Sequence, residues 1–251
     1  FFSRPVGFQP FDLGAAASAA LGGGDVLVHG AFDHLPGRYR GGEGDDPQGF
    51  RRRNVDGSIA LFHAARQAGI GRALFLSSRA VYGTQAPGAV LSEEMECRPD
   101  TLYGEAKLAV ERALSAMAGA AFRTASLRIT GVYGPGAAHK WRGLIADMRA
   151  GRPVAPRAGT EVHGADVGQA VTALLAALAA GAAALTLNVS DIVVDNADLA
   201  AILDAGSPPP RADAAGLNVM ATERLRALGW VPGGIPLLAR TVRALAGAQS
   251  I

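Results

Sequence analysis

Tyr103 and Lys107, in the segment Thr101-Leu-Tyr-Gly-Glu-Ala-Lys107, stand four residues apart on a stretch with helical pattern. The apolar run Ala73-Leu-Phe-Leu76 ahead of them ends in Ser77-Ser78. Residues i and i+4 share a helix face, so the Lys107 ammonium would lie beside the Tyr103 phenol and favour the phenolate. A free tyrosine titrates near pH ~10, too high for a base at neutral pH. A cation one turn away lowers that value, and a serine hydroxyl at a strand end would hold a substrate oxygen. Phenol, ammonium and hydroxyl together suit proton transfer to or from a carbinol. A Tyr-x-x-x-Lys pair also arises by chance on helix surfaces, so the elements around it decide.

Those elements alternate. Asp25-Val-Leu-Val-His29 is β-rich, residues 54–68 carry helical periodicity with Leu61, Phe62, Ala65 and Ala68 on one side, and Ala73-Leu-Phe-Leu76 reads as a buried strand. A helix over 101–118 and a strand at Arg123-Thr-Ala-Ser-Leu-Arg128 follow. This β-α-β-α-β rhythm predicts an α/β fold with a parallel sheet covered on both faces. Ligands in such sheets bind beyond the carboxyl ends of the strands, where Ser77-Ser78 and Thr130-Gly131 fall.

Composition narrows the class. With 251 residues, 49% of them hydrophobic, the chain can bury a sizeable core in one large domain or one and a half. The net charge of +2 is spread without a basic block, and Arg51-Arg-Arg53 reads as the solvated start of a helix, so no nucleic-acid partner is expected. The single cysteine, Cys97, excludes an intrachain disulfide framework and permits a reducing compartment, hence an expected cytoplasmic location. The longest Ala-rich run, 170–187, is broken by Gly181 and is no membrane span. Five scattered histidines give no zinc spacing, and no metal is expected. His29 and His163 read as hydrogen-bonded structural residues, Glu93 and Glu94 as solvated carboxylates, and Asn54 as a plain helix N-cap. The loop Arg38-Tyr-Arg40 with Gly41-Gly-Glu-Gly44 is a candidate for substrate contact, since loops at such edges often carry function.

Six segments occur in a telling order: Asp25-Val-Leu-Val-His-Gly-Ala31, Asn54-Val-Asp-Gly57, Leu76-Ser-Ser-Arg-Ala-Val-Tyr-Gly83, Tyr103-Gly-Glu-Ala-Lys107, Leu127-Arg-Ile-Thr-Gly-Val-Tyr-Gly-Pro135 and Val162-His-Gly-Ala-Asp-Val167. In order and spacing the chain resembles the extended short-chain dehydrogenase/reductases, the NAD-dependent epimerase/dehydratase family. Asn188-Val-Ser190 and Arg224-Leu-Arg-Ala-Leu-Gly-Trp230-Val-Pro232 resemble that family's C-terminal signature.

The resemblance implies roles. Tyr103 would be the general acid/base, and Lys107 the residue that lowers its pKa and bonds the nicotinamide ribose. Ser78, four residues before the tyrosine of Val-Tyr-Gly, would be the catalytic serine rather than Ser77. Asp12 and Leu13 would meet the adenine, Gly30 and Ala31 would line the cofactor's path, and the backbone from Thr130 to Val132 would pack by the nicotinamide. The implied fold is a Rossmann-type doubly wound parallel sheet (1–130 plus 165–188, dinucleotide-binding) with a small, mainly helical C-terminal substrate cap (131–164 plus 189–251). A homodimer through helices near 54–68 and 101–118 is expected, and a small-molecule substrate with no membrane partner.

The departures also inform. The family's Gly-x-x-Gly-x-x-Gly turn, whose amides hold the pyrophosphate, is not found ahead of Asp12, and Gly22-Gly-Gly24 leads into a strand instead of following one. The expectation is that about 40 to 50 residues precede Phe1, from the size of a βαβ unit and its flanks. Arg4 at the tail of an implied second strand leans the cofactor to NADP over NAD. Arg79-Ala80 stands where the family's dehydratases carry Asp-Glu, which disfavours dehydration. Gly159 replaces an arginine that meets a diphosphate in nucleotide-sugar enzymes, with Lys140, Arg142, Arg152 and Arg157 close in sequence as substitutes. Hydride transfer at a carbinol or ketone carbon is the expected chemistry, as an epimerase or a dehydrogenase/reductase; the alternative is a non-catalytic dinucleotide-binding sensor or scaffold.

Overall fold

The computed structural model describes residues 12–13, 21, 24–35, 38, 41–136 and 139–248. The strands are β1 (Val26–His29), β2 (Arg72–Ser78), β3 (Val90–Leu91), β4 (Arg123–Ile129), β5 (Gly131–Tyr133), β6 (Ala158–His163), β7 (Ala184–Val189), β8 (Ile192–Asp195) and β9 (Val219–Met220). The helices are α1 (Pro47–Arg51), α2 (Gly57–Gln67), α3 (Leu102–Ala116), α4 (Arg142–Arg149), α5 (Gly164–Ala179), α6 (Asn196–Ile202), α7 (Glu223–Arg226) and α8 (Gly234–Ala248). The chain divides into two compact units: 1–84, 93–128 and 171–188 form the first, and 85–92, 129–170 and 189–251 the second.

The first unit is a Rossmann-like α/β layer. Its sheet runs β1-β2-β4-β7, with β1 and β2 parallel and Val26 opposite Arg72. Ala73, Leu74 and Phe75 of β2 are at most 1% exposed, the continuous apolar run of a strand covered on both faces. Phe62 and Ala65 of α2 and Val110 and Leu114 of α3 pack on Ala73 and Phe75 in one cluster. Each such fully buried Phe or Leu contributes about 1.5–3 kcal/mol.

The helix ahead of β2 begins earlier than its periodicity indicates. Asp46 caps it by accepting from the Gly49 N–H at 2.8 Å, and Pro47 takes the first helical position, where its missing N–H costs nothing. Arg51-Arg-Arg53 is therefore inside the helix, not at its start. Asn54 is not an N-cap either: it lies in a π-turn, Arg52–Asp56, between α1 and α2. Its buried amide donates to the Asp33 carbonyl at 2.8 Å and the Phe50 carbonyl at 3.0 Å, and accepts from the Asp33 N–H at 2.7 Å. The π-turn aims this side chain across to the loop after β1.

The second unit holds a three-stranded sheet, β5-β6-β8, with β5 parallel and β8 antiparallel to β6, and the parallel pair β3-β9. Tyr133, Trp141, Ile145, Leu199, Leu238 and Val242 share its core. Asp195 and Asp198 form a capping box at the start of α6. Among the described residues no helix is long and apolar enough to cross a membrane.

Candidate active site

Lys107 and Tyr103 are carried by α3, whose N-cap Thr101 accepts from the Gly104 N–H at 3.1 Å. Gly104 lets the helix start close against the turn that follows β2, since a Cβ there would stand 2.5 Å from the Ala80 carbonyl oxygen. Ser78 ends β2 and caps that 3-10 turn, Arg79–Tyr82, by accepting from the Ala80 N–H at 3.2 Å. The same backbone unit, Ala80, thus meets both Ser78 and the helix that bears Tyr103. Ser77 is buried, and its Oγ has no hydrogen-bond partner among the described residues.

The Lys107 side chain reaches from α3 to the sheet and donates to the Leu76 carbonyl at 2.8 Å, two residues before Ser78. The Tyr103 ring centroid is 5.8 Å from its Nζ, and the rings of Phe32 and Phe75 are at 4.4 and 4.6 Å. Burial brings the ammonium down to about 7, against the pull of the Glu111 carboxylate one turn further along α3. A buried ammonium has three donors, and among the described residues Leu76 supplies its one hydrogen-bond acceptor. A ligand diol, such as that of a ribose, would supply the others, so this end of the site fits a pair of sugar hydroxyls.

His29 is a structural residue. Its Nε2–H donates to Ser58 Oγ at 2.8 Å, and the Ser58 hydroxyl donates to the Asn54 carbonyl at 2.6 Å, which fixes the tautomer. Burial, with the charge of Lys107 adding to it, lowers its pKa to about 4. His163, in the second unit, accepts at Nδ1 from the Ala165 N–H.

Of the residues assigned to cofactor binding, Gly30 and Ala31 follow β1 directly, half-buried and exposed. Leu13 is buried with its carbonyl against α2, where a Cβ on Gly57 would stand 2.0 Å away, and Asp12 is exposed beside it. Thr130 and Val132 belong to the second unit; Thr130 Oγ1 donates to the Thr160 carbonyl at 2.8 Å, and Val132 pairs with Val162. Arg4, Tyr39 and Arg40 lie outside the described residues, and Arg38 is exposed.

Glu93 is no solvated carboxylate, since its Oε1 accepts from the Asn188 N–H at 2.9 Å. Lys140 is committed to Glu161, a buried carboxylate of β6. Gly131 makes room for it, as a Cβ there would stand 2.5 Å from Glu161 Oε2. Arg157, Gly159, Glu161, Trp141 and Asn196 border a cavity of about 10 Å³, room for one water.

Two sets of residues went unread in the sequence. One is Phe32. The other is a buried network below the pair, in which Arg128 donates to both Glu111 oxygens (Nη2 to Oε2, 2.9 Å) and to the Tyr82 hydroxyl at 3.1 Å, and Tyr82 donates to Asn188 Oδ1 at 2.7 Å. The signal for Glu111 was its place four residues after Lys107 on an otherwise apolar face.

Comparison with known proteins gives the family and the fold. Residues 38–190 match the NAD dependent epimerase/dehydratase family. A UDP-glucose 4-epimerase of Corynebacterium glutamicum is 34% identical over 120 residues, 44% of this chain. The match spans only 36% of that relative's length. The structure of MoeE5 in complex with UDP-glucose and NAD is 25% identical, covers 97% of this chain and 86% of its own, and superposes with a TM-score of 0.77. That of the Thermus thermophilus UDP-glucose 4-epimerase complex with NAD is 26% identical, covers 89% and 78%, and gives 0.69. The matched stretch takes in more than half of the chain together with Ser78, Tyr103 and Lys107, and its sheet and helices are Rossmann-like: the chain belongs to the NAD-dependent epimerase/dehydratase family, the extended short-chain dehydrogenase/reductases.

Proposed function

We propose that the chain is the catalytic part of a nicotinamide-dependent epimerase acting on a sugar-like substrate. The observation that carries this reading is the anchoring of Lys107 to the Leu76 carbonyl beside the Tyr103 ring, at the strand end that bears Ser78. Tyr103 takes the proton of a substrate hydroxyl and returns it, Ser78 holds the oxygen, and Lys107 as ammonium favours the phenolate. The dinucleotide, when bound, supplies the hydride acceptor and donor. Lys107 would hold its ribose hydroxyls, and Asp12 and Leu13 its adenine. The first unit is assigned to the dinucleotide and the second to the substrate.

The solved relatives named above contain NAD, which favours NAD for this chain over the NADP that Arg4 suggests. Arg79-Ala80 supplies no carboxylic acid after Ser78, which speaks against dehydration. The C. glutamicum and T. thermophilus relatives favour a 4-epimerase of a UDP-hexose, although Gly159 and the commitment of Lys140 to Glu161 remove two cations from that role. The test is an assay of UDP-glucose and UDP-galactose interconversion with NAD supplied, alongside NAD binding. Interconversion is the expected result. Tight NAD binding with no turnover of any hexose nucleotide or free hexose would make the chain a sensor of the dinucleotide instead.

A further inference from the structure

The side chain that covers the catalytic pair is Phe32, on the loop after β1. Its ring centroid is 4.4 Å from Lys107 Nζ and 5.0 Å from the Tyr103 ring, which it meets edge-on at 77°. A second ring, Phe75, lies 4.6 Å from the same nitrogen, and the Leu76 carbonyl takes one of its protons. The ammonium is thus enclosed by two rings and a carbonyl. Phe75 is 1% exposed in the middle of β2 and is held by the core. Phe32 is half-buried, on a stretch without regular structure, with Phe50 as its only other aromatic wall besides His34 and Tyr103 among the described residues.

The residue after Phe32 is held on both sides of its backbone. The Asn54 amide grips both the N–H and the carbonyl of Asp33, and Arg53 pairs with the Asp33 carboxylate. Rotation of the Phe32 side chain leaves all of these Asp33 contacts intact. We infer that Phe32 is a displaceable cap on the pair: it keeps water from Lys107, and its ring swings aside when a ribose diol or another hydroxyl-bearing ligand takes its place on the ammonium. This rests on the role proposed for Lys107 above and adds the residue that controls access to it. The cap works on a positive charge that Tyr103 and Glu111 face from α3, His29 from β1 and the Leu76 carbonyl from β2. Phe32 is a positioning residue, since it acts through Lys107.

The chain has only two lysines, Lys107 and Lys140, so lysine-selective ¹³C labelling of the full chain gives two side-chain signals, assigned with a Lys140→Arg variant. The titration midpoint of Lys107 is read without nucleotide in the wild type, Phe32→Ala and Phe32→Leu, and the Kd for NAD is measured on the same three proteins. Opening the cap with Ala admits water and raises the midpoint by about one unit or more, while Leu, an apolar cover, leaves it near the wild-type value. NAD binds Phe32→Ala about threefold to tenfold more tightly, because no ring-cation contact has to be given up. An unchanged midpoint in a folded Phe32→Ala protein overturns the cap, whatever NAD does. A raised midpoint with equal NAD affinity in all three overturns the displacement. Absence of NAD and NADP binding in every variant overturns the cofactor role of Lys107 and the displacement with it, a result that the midpoints distinguish from failure of the cap.

Discussion

Gly104 meets Ala80 so closely that a Cβ on the glycine would stand 2.5 Å from the Ala80 carbonyl oxygen. The residue after the candidate acid/base is thereby a spacer that sets how near α3 approaches the end of β2. Gly104→Ala forces the helix start or the turn to move. The expected cost is about 1–3 kcal/mol of stability, as for overpacking elsewhere, with a fall in kcat of about a hundredfold if Tyr103 shifts by an ångström. Denaturant unfolding and steady-state kinetics on the one variant check both. Full activity would mean that the contact does not position Tyr103.

The Arg128–Glu111 pair supports the same helix from below. Both side chains are buried, at 8% and 4% exposure, so removing one partner leaves a charge without compensation. Arg128→Met is expected to cost about 3–5 kcal/mol by chemical denaturation. Tyr82→Phe, which loses only the hydroxyl between Arg128 and Asn188, is expected to cost about 1–3 kcal/mol. Comparable losses in the two variants would show that the ion pair adds nothing beyond the hydrogen bond.

His29 gives the fold an acid-side pH dependence. Its pKa is lowered to about 4 in the folded chain, from an ordinary 6.5, so between these values the unfolded chain binds more protons. Stability therefore rises with pH through this window; the penalty is complete below about pH 4 and gone above about 6.5. Its size is at most about 3 kcal/mol. His29→Asn should flatten the rise in denaturant midpoint between pH 4 and 6.5. An equally steep rise in the variant would assign the dependence to other groups.

Much of this was legible in the sequence, and the parts that were not share a cause. The buried strand β2 and the pair on α3 rest on local periodicity, and both stand where the pattern puts them. The periodicity starts the helix before β2 at residue 54, seven residues after Pro47, because Arg51-Arg-Arg53 interrupts the apolar period while Asp46-Pro47, a good start signal, carries no apolar residue. Asn54 misled for a related reason: an N-cap and a π-turn asparagine look alike until the partner, Asp33, is known. Phe32 over Lys107, Glu93 on Asn188 and Arg128 on Glu111 join residues far apart in the chain. Nothing in the spacing of any one of them names its partner.

The most direct measurement of the proposed chemistry compares Tyr103→Phe with the wild type for NAD binding and for hexose-nucleotide epimerisation in the same preparation. The phenyl ring keeps its contact with Phe32 while the only proton-transferring atom is removed. NAD affinity within about threefold of wild type and a kcat lower by about 10²–10⁴ is the predicted result. Undiminished turnover by Tyr103→Phe would contradict it.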